Sequence, residues 1–272
     1  MRTAIYIGNK ELESDERFRA MVERLVSGGC QVQILSAGED LDEQTDMLIS
    51  AGGDGTFLSS SVLVAEKGIP VFGVNFGRLG FLSEHRPEDV AEAILSGDYS
   101  VENRTLLRSE VCTGYEPIDR WPYALNEMSV RRGGAAMLQV NVTVDGIELP
   151  AYWADGLVIS TSSGSTAYSL SVGGPIVLPE SKVLIISPIA PHNLNMRPLV
   201  IPDSSKIHIR VRSRDGKYEF SADNRTCAVS EDVEIDISVA QFSLKLVRLN
   251  KSNFINALTE KLFWGEDIRN LR

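Results

Sequence analysis

The chain has 272 residues, and 27 Lys and Arg against 37 Asp and Glu leave a net charge of −10. That balance lacks the basic footprint that duplex nucleic acid or an anionic membrane surface selects, so neither is expected as a partner. An apolar content of 43% with 24% charged residues excludes wholesale disorder, and the length fits one large domain or two modest ones.

In chain order, Thr3–Ile7 reads as a strand. Ser14–Ser27 places Phe18, Met21, Val22, Leu25 and Val26 at helical spacing, with Gly28-Gly29 as its stop. Gln31–Leu35 is a second strand. Asp46–Ala51 is a third, short and apolar as a buried parallel strand should be. A glycine-rich turn, Gly52-Gly53-Asp54-Gly55, leads into a helix expected over Thr56–Ala65. Pro70–Asn75 is a fourth strand, and Pro87–Leu95 is a helix with proline in its first turn and Gly97 just past its end. This alternation predicts a Rossmann-like parallel sheet with helices on its faces over residues 1–100.

After about residue 100, strands dominate. Leu138–Leu149 alternates apolar and polar residues around Asp145-Gly146, a strong hairpin signal. Further strands are expected at Tyr123–Arg131, Gly156–Ser160, Val183–Ser187, Lys206–Arg212, Lys217–Ala222, Val233–Ser238 and Phe242–Leu249, with a turn at Ser213–Gly216. Residues 101–250 therefore read as a β-rich domain. Lys251–Phe263 returns to helical spacing, and residues 251–272 are expected to dock back onto the first domain.

The longest uncharged run, Gly156–Pro179, is too rich in Ser, Thr, Gly and Pro to span a membrane. Met1 leads straight into a strand, leaving no room for a signal peptide. Cys30, Cys112 and Cys227 are too far apart for a disulfide framework or a zinc site, so buried free thiols in a cytoplasmic protein are expected.

Three segments carry chemistry. The Gly52–Gly55 turn leaves a buried strand and enters a helix, where backbone amides approach phosphate oxygens. An acid inside such a loop repels phosphate unless it has a task, such as orienting magnesium or taking a proton from an attacking hydroxyl. The loop is neither a Walker A sequence nor G-x-G-x-x-G. Asn126-Glu127 interrupts an apolar strand; the pair either faces ligand hydroxyls and amides or lies at a bulge or strand end. The Ser/Thr/Gly stretch from Asp155 to Pro175 offers many small hydrogen-bonding groups, suited to a wall for ribose, pyrophosphate or a flat base, with a flexible loop as the plain alternative. His85, His192 and His208 read as surface or packing residues, with His192 the exception to watch, since its Pro-rich turn after a buried strand suits the mouth of a site. Asp223-Asn224-Arg225 reads most simply as a hairpin connection.

These segments, in this order, resemble the NAD kinase family. The resemblance rests on Gly52–Thr56, Asn126-Glu127, Asp155-Gly156 with Ser165–Ser169 and Gly173-Gly174-Pro175, Ile186–His192, Pro198–Pro202 and Lys261–Gly265. The Gly-Gly-Asp-Gly loop alone also occurs in lipid kinases of the diacylglycerol type, so such an activity is one alternative; a dinucleotide-binding sensor without catalysis is the other.

The resemblance implies an α/β N-terminal domain and a β-rich C-terminal domain that builds subunit contacts. It implies transfer of the terminal phosphoryl group of ATP, with a divalent ion such as magnesium, to the 2′-hydroxyl of the adenosine ribose of NAD. Asp54 would be the base or hydroxyl-orienting residue. Gly52, Gly53, Gly55 and Thr56 would meet the donor phosphates. Asn126 and Glu127 would hold the adenosine side, and Asp155 the nicotinamide half. Thr166, Ala167, Tyr168, Ser169, Leu170, Ser171 and Ala190 would line the dinucleotide. Phe57, Asp223, Asn224 and Arg225 are further candidates, no metal ligand is assigned to a side chain, and a homodimer or homotetramer is implied. Trp153 stands where relatives often carry a basic residue, a charge that Arg131 or Arg132 could supply instead.

Overall fold

The structure, a computed structural model, describes residues 1–77, 80–111, 114–250 and 252–265. The chain divides into two compact units, Met1–Asn103 with Leu244–Arg272, and Arg104–Ser243.

The first unit is built on a six-stranded sheet. Its strands run in the order Gln31–Leu35, Arg2–Ile7, Met47–Ala51, Val71–Val74, Leu244–Leu249, Tyr99–Arg104. The first five are mutually parallel. All five residues of Met47–Ala51 are buried, as a central strand covered on both faces requires. The helix Glu16–Ser27 starts on Asp15, whose carboxylate accepts the Arg17 N–H (2.8 Å), and buries Phe18, Met21 and Leu25. The helix Pro87–Ser96 buries Val90, Ala91, Ala93 and Ile94. Both stripes join one core with Ile5, Ile49, Phe72 and Val247.

Two expectations for this unit change. The helix after the glycine turn spans Asp54–Ser61 rather than Thr56–Ala65, so Asp54 and Gly55 lie in its first turn. The strand Leu244–Leu249, placed by its sequence position in the β-rich domain, pairs in parallel with Val71–Val74 instead. Its alternation shows a strand but not which sheet will take it. The C-terminal helix covers Phe254–Leu262 and is capped by Asn253, which accepts the Ile255 N–H (2.8 Å). Lys251, where that helix was expected to begin, lies outside the described residues, as does Cys112.

The second unit stacks two antiparallel sheets. One runs Ile147–Glu148, Leu138–Val144, Ile207–Arg212, Glu234–Val239, Leu107–Glu110, Tyr123–Ala124, with Tyr152–Ala154 also on Leu138–Val144. The other runs Leu199–Pro202, Val183–Ile189, Gly156–Thr161, Glu127–Arg131, Lys217–Ala222, Arg225–Ser230. Ile207, Ile209 and Val211 are buried and alternate with exposed Arg210 and Arg212, so one sheet face is dry and the other wet. The dry face meets Met128, Val130, Leu157, Ile159, Ile186 and Phe220 of the second sheet in a single core. The Asp145-Gly146 hairpin forms as its sequence predicts, with φ of 50° and 82°.

The expected strand Tyr123–Arg131 is two strands in two sheets, broken at Leu125-Asn126. No helix among the described residues is long and apolar enough to cross a membrane.

Candidate functional site

In the first unit the order of strands reverses between Arg2–Ile7 and Met47–Ala51. The chain steps outward to Gln31–Leu35 on one side and continues through Met47–Ala51 on the other. Open α/β sheets bind ligands at such a switch point, beyond the carboxyl ends of the strands. A cavity of about 420 Å³ lies there, lined by Gly8, Asn9, Glu11, Leu12 and Asp15 after the first strand and by Ala51, Gly52 and Thr56 after the third.

Gly52 has φ of 155°, and a Cβ on it would collide with the Thr56 side chain, so this turn needs glycine. Gly53 is the N-cap of Asp54–Ser61, and no side chain caps the helix. Its first-turn amides thus point outward without a side-chain acceptor, an arrangement that favours phosphate. Phe57 is fully buried.

The Asp54 carboxylate is fixed from outside its own helix. Its Oδ2 accepts the Phe81 N–H (2.9 Å), and its Oδ1 accepts those of Leu82 (3.1 Å) and Ser83 (2.8 Å). Gly80 lies so near that any Cβ there would overlap the carboxylate. Of about four lone-pair positions on a carboxylate, these bonds fill three and leave one on Oδ2.

In the second unit the candidate residues gather on one strand face. Met128 and Val130 point into the core, whereas Glu127, Ser129 and Arg131 line a cavity of about 240 Å³ with Tyr168, Ser221, Asp223, Asn224 and Thr226. Asp223 organises the approach to this face. Its carboxylate accepts the N–H groups of Leu125 (2.8 Å), Asn126 (2.8 Å) and Glu127 (3.3 Å). Three amides turned toward one side chain cannot serve a sheet ladder, which is why the chain changes sheets there. Asp223-Asn224 does connect a hairpin, Lys217–Ala222 to Arg225–Ser230, with Asp223 at φ of 50°. Arg225 is turned to the backbone, donating to the Trp121 and Tyr123 carbonyls.

Glu127, like Asp223, is an acid of this face whose pKa burial raises. Burial first, and then the Asp223 charge, push it up to about 8, against the pull of the Tyr168 N–H. Its Oε2 is buried without a hydrogen-bond partner among the described residues.

Asp155 sits at the other end of this sheet region. Gly156 pairs with Arg131 and Ser160 with Glu127, so Asp155 lies about five residues, roughly 16 Å, along the strand from the Glu127 level. Arg132 holds it with two contacts, Nε to Oδ1 (2.8 Å) and Nη2 to Oδ2 (3.1 Å). Trp153, two residues before Asp155, is 43% exposed. Arg131 pairs with Glu219 (3.3 Å). Asp155 donates its N–H to the Ile189 carbonyl, and the next residue, Ala190, holds φ of 45°.

Three serines of the hydroxyl-rich stretch bond within the protein. Ser162 bonds the Pro179 carbonyl (2.8 Å), Ser165 both donates to and accepts from the Val177 backbone (3.1 Å each), and Ser169 meets Ser187 (3.4 Å). The Ser162 and Ser165 hydroxyls anchor the 175–179 segment. Thr166, Ala167, Tyr168 and Leu170 are half-buried, and Ser171 is exposed.

His85 is buried edge-on against Phe72 (5.1 Å), and burial pushes it down to about 4; His192 is exposed. No three His, Cys, Asp or Glu converge on a metal position among the described residues. The residues that the motifs did not reveal are Gly8-Asn9 and Gly80–Ser83. The first pair follows a strand directly, and the second has Gly80 as its one signal.

Comparison with known proteins fits this geometry. The model of the ATP-NAD kinase N-terminal domain matches residues 7–97, and that of the ATP-NAD kinase C-terminal domain matches 125–249. The NAD kinase of Flavobacterium psychrophilum is 41% identical over 266 residues, 96% of this chain and 90% of the relative. That of Bacteroides fragilis is 42% identical over 228 residues, 82% and 78%. Among solved structures, an NAD kinase from Archaeoglobus fulgidus in complex with ATP aligns over 92% of this chain and 95% of its own, at 29% identity and a TM-score of 0.75. A yeast NADH kinase complexed with NADH aligns over 99% and 90%, at 25% identity and a TM-score of 0.80. The chain belongs to the ATP-NAD kinase family.

Proposed function

We propose that this kinase, which uses ATP to convert NAD to NADP, acts on the 2′-hydroxyl of the adenosine ribose with Asp54 as the proton acceptor. The observation that carries the role is the Asp54 carboxylate, held by three backbone amides with one lone pair of Oδ2 left over. A hydroxyl donating to that lone pair has its oxygen aimed at the donor. As the oxygen bonds to the γ-phosphorus, the bond to the β-phosphate oxygen breaks, ADP leaves and Oδ2 takes the proton. The transition state of such a transfer is loose, so alignment and charge neutralisation supply most of the rate.

Gly52, Gly53, Gly55 and Thr56 are proposed to meet the donor phosphates through the first-turn amides of Asp54–Ser61. The donor arrives as its magnesium complex, with the ion part of the substrate; magnesium commonly sits on one or two carboxylates plus phosphate oxygens. Asn126, Glu127 and Tyr168 are proposed to hold the adenosine side of NAD, and Asp155 with Ala190 the nicotinamide half. The separation of about 16 Å along one strand supports two recognition points for a long ligand with two polar ends. The buried, unpartnered Oε2 of Glu127 supports a hydrogen bond completed by ligand. A homo-oligomer in the cytoplasm belongs to the same reading; exposed Leu199 and Val200 on an edge strand support the oligomer.

The test is NADP formation from NAD, ATP and magnesium. Appearance of NADP with equimolar ADP is expected. NAD binding without turnover across several donors and metals would mark a sensor instead. Phosphorylation of diacylglycerol in vesicles with no NADP would mark a lipid kinase.

A further inference from the structure

The loop that grips Asp54 is itself held by the C-terminal helix. Lys261, in the last turn of Phe254–Leu262, places its ammonium 4.9 Å above the Phe81 ring and 3.5 Å from Glu84 Oε2. Phe254, at the first turn of the same helix, packs its ring 6.2 Å from that of Phe81. Phe81 is the residue whose N–H bonds Asp54 Oδ2, and Glu84 directly follows Ser83, whose N–H bonds Oδ1. One helix therefore holds both ends of the four-residue segment that aims the carboxylate.

The charges in this cluster are nearly dry. The side chains of Lys261, Glu84 and Arg248 are 9%, 10% and 8% exposed. Arg248 already holds Glu84 with two bonds, Nε to Oε1 (2.8 Å) and Nη2 to Oε2 (2.9 Å). Neutralising Glu84 thus does not require Lys261, whose second cation is costly to bury unless it does something else. The Asp54 charge is among those that act on the Lys261 ammonium and offset its burial. The other groups around the cluster are His85, 3.4 Å from Glu84, and Glu102, 3.8 Å from Arg248.

We propose that Lys261 is a positioning residue for phosphoryl transfer: through Phe81 and Glu84 it fixes the backbone amides that orient the Asp54 carboxylate. The C-terminal helix is then a working part of the catalytic unit. The inference rests on Asp54 being the reacting carboxylate.

The experiment compares wild type, Lys261→Met and Lys261→Arg in steady-state NADP formation, with thermal unfolding of each. Methionine keeps most of the stem and loses the charge; arginine restores it. A displacement of the aiming loop by about 1 Å is enough to cost ~10²-fold in rate. Lys261→Met is expected to lose ~10- to 100-fold in kcat, with the KM for NAD within about twofold, and Lys261→Arg to recover most of it. Lys261→Met with kcat within about threefold of wild type overturns the proposal, as does a rise in KM that matches the fall in kcat. If Lys261→Met does not fold, Phe81→Leu decides: lower kcat at unchanged KM supports the proposal, and unchanged kcat overturns it. A wild-type protein that makes no NADP would defeat the kinase reading itself, a result separate from any of these.

Discussion

Asp223 accepts the backbone N–H of Glu127 at 3.3 Å while its charge opposes ionisation of the Glu127 side chain. The same carboxylate thus builds the turn and tunes the acid that the turn presents. Burial and the Asp223 charge together push the Glu127 carboxyl up to about 8.

A pH dependence of stability follows. An unfolded glutamic acid ionises near 4.3. Between that value and about 8 the folded chain binds one more proton than the unfolded chain, so stability falls as pH rises, by up to ~1.4 kcal/mol per pH unit. His85, pushed down to about 4, acts in the opposite sense, but only below its ordinary 6.5. Asp223, also raised by burial, acts in the same sense as Glu127, so from pH 6.5 to 8 the Glu127 contribution is the difference between wild type and Glu127→Gln. Urea unfolding should show wild type weakening across that window and Glu127→Gln staying flatter. Equal slopes in the two proteins would contradict the assignment.

Asp223→Ala should uncouple the two roles of that side chain. Three amides lose their acceptor, at about 1–3 kcal/mol for each that stays buried and unpaired, partly offset by removing a desolvated charge. A net loss on the order of 2–4 kcal/mol is expected, together with a downward shift of the Glu127 pKa. Chemical denaturation and NMR titration of the Glu127 side chain measure these separately. An unchanged Glu127 titration would remove Asp223 as a cause.

Gly80→Ala tests the grip on Asp54 without replacing any ionisable residue. The new methyl overlaps the carboxylate, so the side chain or the loop must move. A kcat loss of ~10²-fold is expected, with little change in NAD affinity. Full activity in Gly80→Ala would show that the orientation of Asp54 does not limit the reaction.

Much of this architecture is legible in the sequence because it is local. Phe18, Met21 and Leu25 mark their helix, Ile207, Ile209 and Val211 their strand, and Asp145-Gly146 its turn. Asp54, Glu127 and Asp155 stand out because their surroundings in the sequence are apolar or glycine-rich. What is hidden depends on distant partners. The break at Leu125-Asn126 is made by Asp223, 97 residues beyond Asn126. The strand Leu244–Leu249 joins the parallel sheet because Val71 and Phe72 pair with Leu246 and Val247, which no local pattern states. The Phe81–Ser83 amides carry no side-chain signature, yet they orient the Asp54 carboxylate. Ser162, Ser165 and Ser169 look like ligand groups in sequence because a hydroxyl does not reveal which group of the chain will take it.

The most direct measurement is NADP formation by wild type and Asp54→Asn under identical NAD, ATP and magnesium. The substitution keeps size and removes the charge and the proton-accepting lone pair. The account predicts NADP from wild type and a loss of ~10²-fold or more in the variant, the magnitude of a missing general base, with the protein still folded by circular dichroism. Equal rates in the two proteins would contradict the role of Asp54 and return it to the rank of a turn residue.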